Sequence, residues 1–491
     1  MFARHKRVTN MLRRVVAIVV AAGLLLTTGI HARQRSQAAG RATPSTSLDE
    51  KLSAAVTRGD VPGLVVMAAT RDRIVYQGVF GKAEVGHERP MTADAIFRIA
   101  SMTKAVTSVA AMQLYEQGRF ALDDPAEKYL PELANLMVFE SFDHATGAYT
   151  VRPAAKQITI RHLFTHTSGL AYGFTSPIDR DFKPRNGETY AAGPLLFEPG
   201  TQWIYGTSVD WIGRLVEKLS GRNLEEYFHD RIFTPLGMSD TFYNVPEAKQ
   251  VRRVTVHRRQ DGRADAPLTE QPNQPQRPST TFNGGGGLLS TASDYMRFER
   301  MILNGGALDG ARILSADTVA LMATNQIGEV GVRAVKTAQP DRSMDFTFIN
   351  DGKDKWGLGF LLTTSHEAGK RSAGSLSWGG IDNTYFWIDP ARGIAGVAMM
   401  QFLPFADTKA LAIYDTFERG VYQLAERRPD GRGSVGRRAG AFRRRASPAI
   451  KGPSNPQMEP TRRTTVRQCH RCARLIWNVS HPRRHSRVRR R

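Results

Sequence analysis

Strand-forming segments stand at the two ends of the central region, and helical segments fill the stretch between them. Gly63–Thr70 (GLVVMAAT) and Arg73–Gly81 (RIVYQGVFG) flank a polar turn at Arg71-Asp72 and read as a β-hairpin. The next clear strands come at Trp356–Ser365, Gly374–Gly380, Thr384–Pro390 and Gly393–Gln401. A lone hairpin is marginal in water. The expected solution is one sheet that joins both ends. Leu48–Thr57 and residues from about Ala95 to Gly118 read as helices, as does Ala406–Ala425 at the far end. Ser208–Gly221 is the clearest helix, with Trp211, Ile212, Leu215, Val216 and Leu219 at helical spacing. The pattern predicts an α/β (α+β) chain: an antiparallel sheet flanked by helices, with a helical lobe.

The formal net charge of +22 over 491 residues points at first to nucleic acid or an anionic surface. Its distribution removes that reading. Residues 1–40 contribute +7 and residues 427–491 contribute +18, which leaves −3 for the body. No nucleic acid is required for the function of such a body. The N-terminus reads as an export signal: a basic MFARHKRVTNMLRR, then the apolar run Val15–Leu26, then small residues with cleavage after Ala32 or Ala38. The alternative is an uncleaved N-terminal anchor within residues 1–38; in either case the expected location is exported, periplasmic or secreted. The body, residues 45–426, contains no cysteine, so it uses neither disulfides nor thiol chemistry. Cys469 and Cys472 lie in the basic tail, 427–491, with His481 and His485. That tail lacks the apolar periodicity of a zinc module, and no metal is expected. It is expected to be disordered.

One stretch carries chemistry. In FRIASMTKAVTS, Ser101 and Lys104 stand three residues apart among apolar neighbours. On a helix this spacing puts both side chains on one face. A serine near a helix start also gains from the backbone N–H groups there. A lysine in an apolar surround can act as a base toward a serine. Taken alone, Ser-x-x-Lys is also met as a capping serine followed by a surface lysine.

Further segments strengthen the chemical reading. ITIRHLFTHTSGL (158–170), FEPGTQWIYGTSVDWIGRLVEKLSG (197–221), FTPLGMSDT (233–241), GGGGLLSTASDYMRF (284–298) and SWGGIDNTYFWIDP (377–390) follow in order. Together with the Ser101 stretch they resemble the penicillin-recognising serine hydrolases, over roughly residues 45–425. That group includes class C beta-lactamases, D-alanyl-D-alanine carboxypeptidases and family VIII carboxylesterases. The resemblance implies a beta-lactamase/transpeptidase-like fold and three sequence boxes. Ser101 and Lys104 fill the first, as nucleophile and base. Tyr205-Gly206-Thr207 fills the second, with Tyr205 as the proton carrier and Thr207 in place of the usual amide. The third is normally Lys-Thr-Gly on a strand. Trp378-Gly379-Gly380 holds its place in the order, whereas the near-match Lys336-Thr337-Ala338 lies in a polar stretch. The resemblance then assigns the oxyanion hole to the backbone N–H groups of Ser101 and Ile381.

Competing motifs carry less. His166 and Ser168 have no evident acid partner, nothing matches Gly-x-Ser-x-Gly, and Gly284–Gly287 lacks the Lys-Ser/Thr of a P-loop. The expected chemistry is an acyl-enzyme on Ser101, with no metal or organic cofactor and a small ester or amide as the only partner. A bulky Trp378 in place of a lysine favours neutral, short acyl esters and hence a carboxylesterase. The alternatives are a beta-lactamase or D-Ala-D-Ala carboxypeptidase, and a non-catalytic acylated sensor or scaffold.

Overall fold

The computed structural model describes residues 44–87, 89–260, 268–270 and 278–426. Residues 1–38, expected to direct export, and the basic tail at 427–491, with its cysteines and histidines, lie outside the described residues. The elements that matter for the site are α1 (Pro44–Thr57), β1 (Gly63–Thr70), β2 (Ile74–Glu84), β3 (Arg89–Pro90), α2 (Thr103–Glu116), α3 (Ser208–Ser220), α4 (Ala292–Leu303), β4 (Lys355–Trp356), β5 (Leu361–Leu362), β6 (Leu376–Gly380), β7 (Thr384–Asp389), β8 (Ile394–Met399) and α5 (Thr408–Glu426).

The two ends of the chain do meet in one sheet. Its eight strands run in the order β4-β5-β6-β7-β8-β1-β2-β3, and every neighbouring pair is antiparallel. The seam between the ends is β1 against β8, with Val65 opposite Met399 and Met67 opposite Val397. Every residue of β6, β7 and β8 is buried, so this sheet is covered on both faces. Side chains alternate along a strand, and β7 shows what covers each face. Phe386 meets Tyr295 of α4 at 5.4 Å between ring centres, and Trp387 meets Phe417 of α5 at 5.2 Å. Helix α1 packs on α5, and α2 packs on α3 in the helical lobe.

Two local expectations need correction. The region 95–118 is not one helix. Phe97 and Arg98 pair as a short ladder with Ser290 and Leu289, a 3-10 turn covers Ala100–Met102, and the α-helix begins only at Thr103. Ile96 bridges to Arg253, so the segment before the serine is already committed to strand-like pairing. The stretch 356–365 is likewise not one strand but the hairpin β4–β5. Gly359 in its turn has φ +93°, and a Cβ there would lie 2.2 Å from Ser108 Oγ of α2. The turn exists so that the sheet edge can approach that helix closely.

Candidate active site

The Ser101 turn is built by its neighbours on both sides. Ahead of it, Ala100 adopts φ +43°, a conformation a non-glycine residue rarely takes. Behind it, Met102 carbonyl oxygen accepts from the buried Tyr295 hydroxyl at 3.1 Å. The end of β6 presses on the same turn. At Gly380 a Cβ would lie 2.3 Å from the carbonyl oxygen of Ile99, so only glycine lets this strand reach the serine. Ser101 therefore sits in a tight turn whose exit leads straight into α2, with Lys104 in the first turn of that helix.

Lys104 is 1% exposed, and its amine is surrounded by acceptors. Nζ lies 3.3 Å from Ser101 Oγ, 3.0 Å from Tyr172 Oη and 2.6 Å from the carbonyl oxygen of Gly285. Tyr172 in turn donates to Asp210 Oδ2 at 3.2 Å, and the Gly285 N–H donates to Asp210 Oδ1 at 3.1 Å. A continuous chain thus runs Ser101–Lys104–Tyr172–Asp210. Burial pushes the Asp210 carboxyl up, against the pull of Lys104 and its two hydrogen bonds. Burial and the carboxylate beside it push the Tyr172 phenol well above the usual tyrosine value. The glycine run 284–287 finds its use here: Gly284 and Gly285 give carbonyls to Thr107 and Lys104, and Gly285–Gly287 line the cavity over Ser101.

Neither Tyr172 nor Asp210 is foreseen from the sequence. Tyr172 stands two residues past the HTSGL segment, and Asp210 is one acid between Val209 and Trp211 on an otherwise apolar helix face. A single acid in the first turn of α3, among apolar neighbours, is the signal in the sequence that could have pointed to it.

The residues foreseen from the second and third boxes gather around a second phenol. Tyr205 is 2% exposed, and its ring centre lies 4.8 Å from Lys104 Nζ. Its hydroxyl accepts from the Trp378 indole N–H at 3.3 Å. Trp378 is 3% exposed and packs on Tyr205 and Trp356, each at 4.8 Å between ring centres. Trp378 lines a separate cavity with Phe348 and Tyr385, and it does not line the one over Ser101. The expectation that its apolar face meets the substrate is therefore corrected: the aromatic cluster holds the indole, and its contact with the chemistry runs through Tyr205. Gly379 and Gly380 end β6, and Ile381 after them lines the Ser101 cavity. Thr207 sits at the N-cap of α3 without capping it through its side chain, and does not line that cavity.

The set-aside motifs are turn structure. His166 Nδ1 accepts from the Gly206 N–H at 3.4 Å, and burial holds its imidazole well below the ordinary histidine value. Ser168 and Ser208 share a hydrogen bond of 2.8 Å. Lys336 pairs with Asp345 at 2.7 Å on the surface.

The cavity itself measures about 660 Å³. Ala100, Ser101, Tyr172, Phe174 and Ile381 form its reactive end, and Arg98, Arg253 and Arg342 stand among its other walls. Among the described residues, no cluster of His, Cys, Asp and Glu is arranged to hold a metal ion.

The sequence pattern of the Beta-lactamase family matches residues 48–418. The chain belongs to the beta-lactamase family. Its relatives in that family include the monacolin J acid methylbutanoyltransferase of Aspergillus terreus, 30% identical over 413 residues, which span 78% of this chain and 97% of the relative. The lovastatin esterase of Penicillium rubens is 30% identical over 395 residues, 77% of this chain and 98% of the relative. Among solved structures, unliganded simvastatin synthase from Aspergillus terreus, as its selenomethionyl derivative, superposes with a TM-score of 0.67 at 29% identity, covering 78% of this chain and 98% of that one. This beta-lactamase-family chain is accordingly an enzyme of the serine hydrolase and acyltransferase kind, with the beta-lactamase/transpeptidase fold.

Proposed function

We propose that the enzyme is a carboxylesterase and acyltransferase for short acyl esters that works through an acyl-enzyme on Ser101. The observation that carries this reading is the 3.3 Å contact between Ser101 Oγ and the buried Lys104 amine, at the end of an open cavity. Gly285 and Tyr172 occupy two N–H directions of Nζ and leave the third position facing Ser101. Ser101 Oγ bonds to the acyl carbon as its proton passes to Nζ. The carbonyl oxygen becomes an oxyanion at the backbone N–H groups of Ser101 and Ile381. The C–O bond to the alcohol then breaks, and the alcohol leaves with a proton. Water or a second alcohol reverses these steps and releases acid or a new ester.

The two phenols divide the work. Tyr172 already gives its proton to Asp210, so it serves as the bridge that holds Lys104. Tyr205 receives an N–H from Trp378, and its ring lies 4.8 Å from Lys104 Nζ; in this reading it gives its proton to the leaving alcohol and takes up in exchange the proton that Lys104 received from Ser101. Transfer to an alcohol joins hydrolysis in this reading because relatives of near-equal identity are named for an acyltransferase and an esterase. The basic and apolar pattern of residues 1–38 supports a location outside the cytosol for this activity.

The test is a pair of specific constants on the purified enzyme. A short-chain nitrophenyl ester is expected to exceed a chromogenic cephalosporin in kcat/KM by at least tenfold. A higher value for the cephalosporin would make the chain a beta-lactamase and end the ester reading.

A further inference from the structure

A second cavity, of about 600 Å³, opens against Trp378 and shares no lining residue with the one over Ser101. The sheet supplies its floor through Leu361 of β5, Ser377 and Trp378 of β6, and Tyr385 of β7. Helix α5 closes one side through Leu411, Tyr414 and Glu418, and the segment 347–350 closes another. Thr347, Ser365 and Glu367 are exposed, so the mouth lies there. No step of the ester chemistry uses this space.

The charge of the lining is unbalanced. Four carboxylates, Asp354, Glu367, Asp415 and Glu418, face two cations, Lys370 and Arg371. Both cations are already paired. Arg371 donates to Glu418 from Nε at 2.7 Å and from Nη2 at 2.9 Å, and Lys370 joins Asp415 at 2.8 Å and Glu367 at 3.3 Å. Arg419 pairs with the same two acids as Lys370. Asp354 is left over. It is 3% exposed, and among the described residues no cation pairs with it within 4.0 Å. The N–H groups of Asn350 and Thr364 and the Thr364 hydroxyl hold its oxygens. Burial pushes this carboxyl up, against those hydrogen bonds and the pull of Arg371. A buried carboxylate without a counter-ion is unfavourable, and a bound cation would relieve it.

The rings and one hydroxyl complete the site. Tyr385 stacks on Tyr414 at 4.9 Å between ring centres, and Phe348 meets both Trp378 and Tyr385 at 6.0 Å. Arg371 already lies 5.4 Å from the Tyr414 ring centre and 5.5 Å from that of Trp387, so this aromatic wall suits a cation. The Ser377 hydroxyl, on a residue 5% exposed, has no hydrogen-bond partner among the described residues. It offers a donor and an acceptor to a polar group of a ligand.

We propose that this cavity binds a small organic ammonium ion carrying a hydroxyl, and that the bound cation slows catalysis through Trp378. The coupling rests on the role given above to Tyr205 in ester transfer. Trp378 is a wall of the cavity, and its indole N–H donates to Tyr205 Oη at 3.3 Å. That contact is already long for an N–H···O bond. A ligand packed on the indole displaces it and loosens the phenol that carries the proton.

The probe is choline, and the control is its neutral isostere with carbon in place of nitrogen, at fixed ionic strength on the full-chain enzyme. Calorimetric titration is expected to show one site that binds choline about tenfold tighter than the isostere, the scale of a cation held by rings and a carboxylate. Asp354→Asn removes the charge and Leu411→Trp fills the space; each is expected to weaken choline binding about tenfold. Leu411 is part-exposed on α5, so its variant serves if Asp354→Asn fails to fold. With a short nitrophenyl ester, choline is expected to lower kcat about threefold to tenfold, the worth of about one hydrogen bond, and to leave KM unchanged. Trp378→Phe keeps a ring and loses the N–H; it is expected to bind choline and to lose the effect on kcat. No binding of choline, equal binding of the isostere, or binding unchanged in both cavity variants would overturn the site. Competition with the ester, or binding that leaves kcat unchanged, would overturn the coupling to Tyr205. If the enzyme hydrolyses no ester, the ester reading falls, and the titrations alone decide the site.

Discussion

At the scale of single residues, the account turns on how Lys104 is held. Its three hydrogen bonds give it one orientation, with Ser101 on one side and the Tyr172–Asp210 pair on another. Lys104→Ala and Tyr205→Phe are each expected to lower kcat by about a hundredfold or more, the usual scale for acid–base groups. The double variant is expected to lose less than the product of the two, since they act on one proton path. Asp210→Asn is expected to lower kcat by about tenfold, because an amide has one acceptor oxygen and cannot take both the Tyr172 hydroxyl and the Gly285 N–H that position Lys104. An unchanged kcat would reduce Asp210 to a packing role. Ser101 and Lys104 were legible because their relation is local, three residues along one helix start. Tyr172 and Asp210 were not, because the contacts that define them join residues far apart in sequence. Trp378 was legible as a position but not as an orientation: the strand carries it where expected, and the aromatic cluster then turns the indole to Tyr205.

At the scale of elements, two junctions decide whether the site forms. The first is the end of β6 against the serine turn. Gly380→Ala would put a methyl group 2.3 Å from the Ile99 carbonyl oxygen, so strand or turn must move. The expected result is a loss of kcat of tenfold or more with a folded circular-dichroism spectrum; full activity would show that the approach is not needed. The second junction is the start of α4, the helix that supports the Ser101 turn through Tyr295. Thr291 caps it, and Asp294 in its first turn accepts from the Asp240 N–H at 2.7 Å and from the Thr241 hydroxyl at 3.0 Å. Burial pushes the Asp294 carboxyl up to about 6, above its value in the unfolded chain near 4. A raised value means the folded state holds this proton more tightly. Its contribution is fully present below about pH 4 and is lost as pH rises past about 6. Asp294→Asn is expected to flatten stability against pH in that window, by on the order of 2 kcal/mol, as read from urea midpoints at several pH values. A slope equal to that of the wild type would contradict the assignment. The hairpin β1–β2 and the helix α3 were legible from local periodicity. The boundaries around Ser101 and Gly359 were not, because distant strands and helices impose those turns.

At the scale of the whole molecule, the sheet closes by joining β1 to β8, residues from opposite ends of the body. That the ends share a sheet could be read from the placement of the strand segments; the strand order could not, since it depends on pairings among distant elements. Both α1 and α5, the first and last helices described, pack together beside this seam. Cutting the chain after Glu426 is therefore expected to leave kcat and melting temperature nearly unchanged, and a large fall in either would give the tail a structural part. The central claim is that one covalent intermediate forms on one residue of this chain. Intact-protein mass spectrometry after rapid acid quench with a short acyl ester tests it directly. The account predicts a single added acyl group in the wild type, mapped by peptide analysis to Ser101 and absent from Ser101→Ala. An acyl group on another residue such as Ser168, or wild-type turnover by Ser101→Ala, would contradict it.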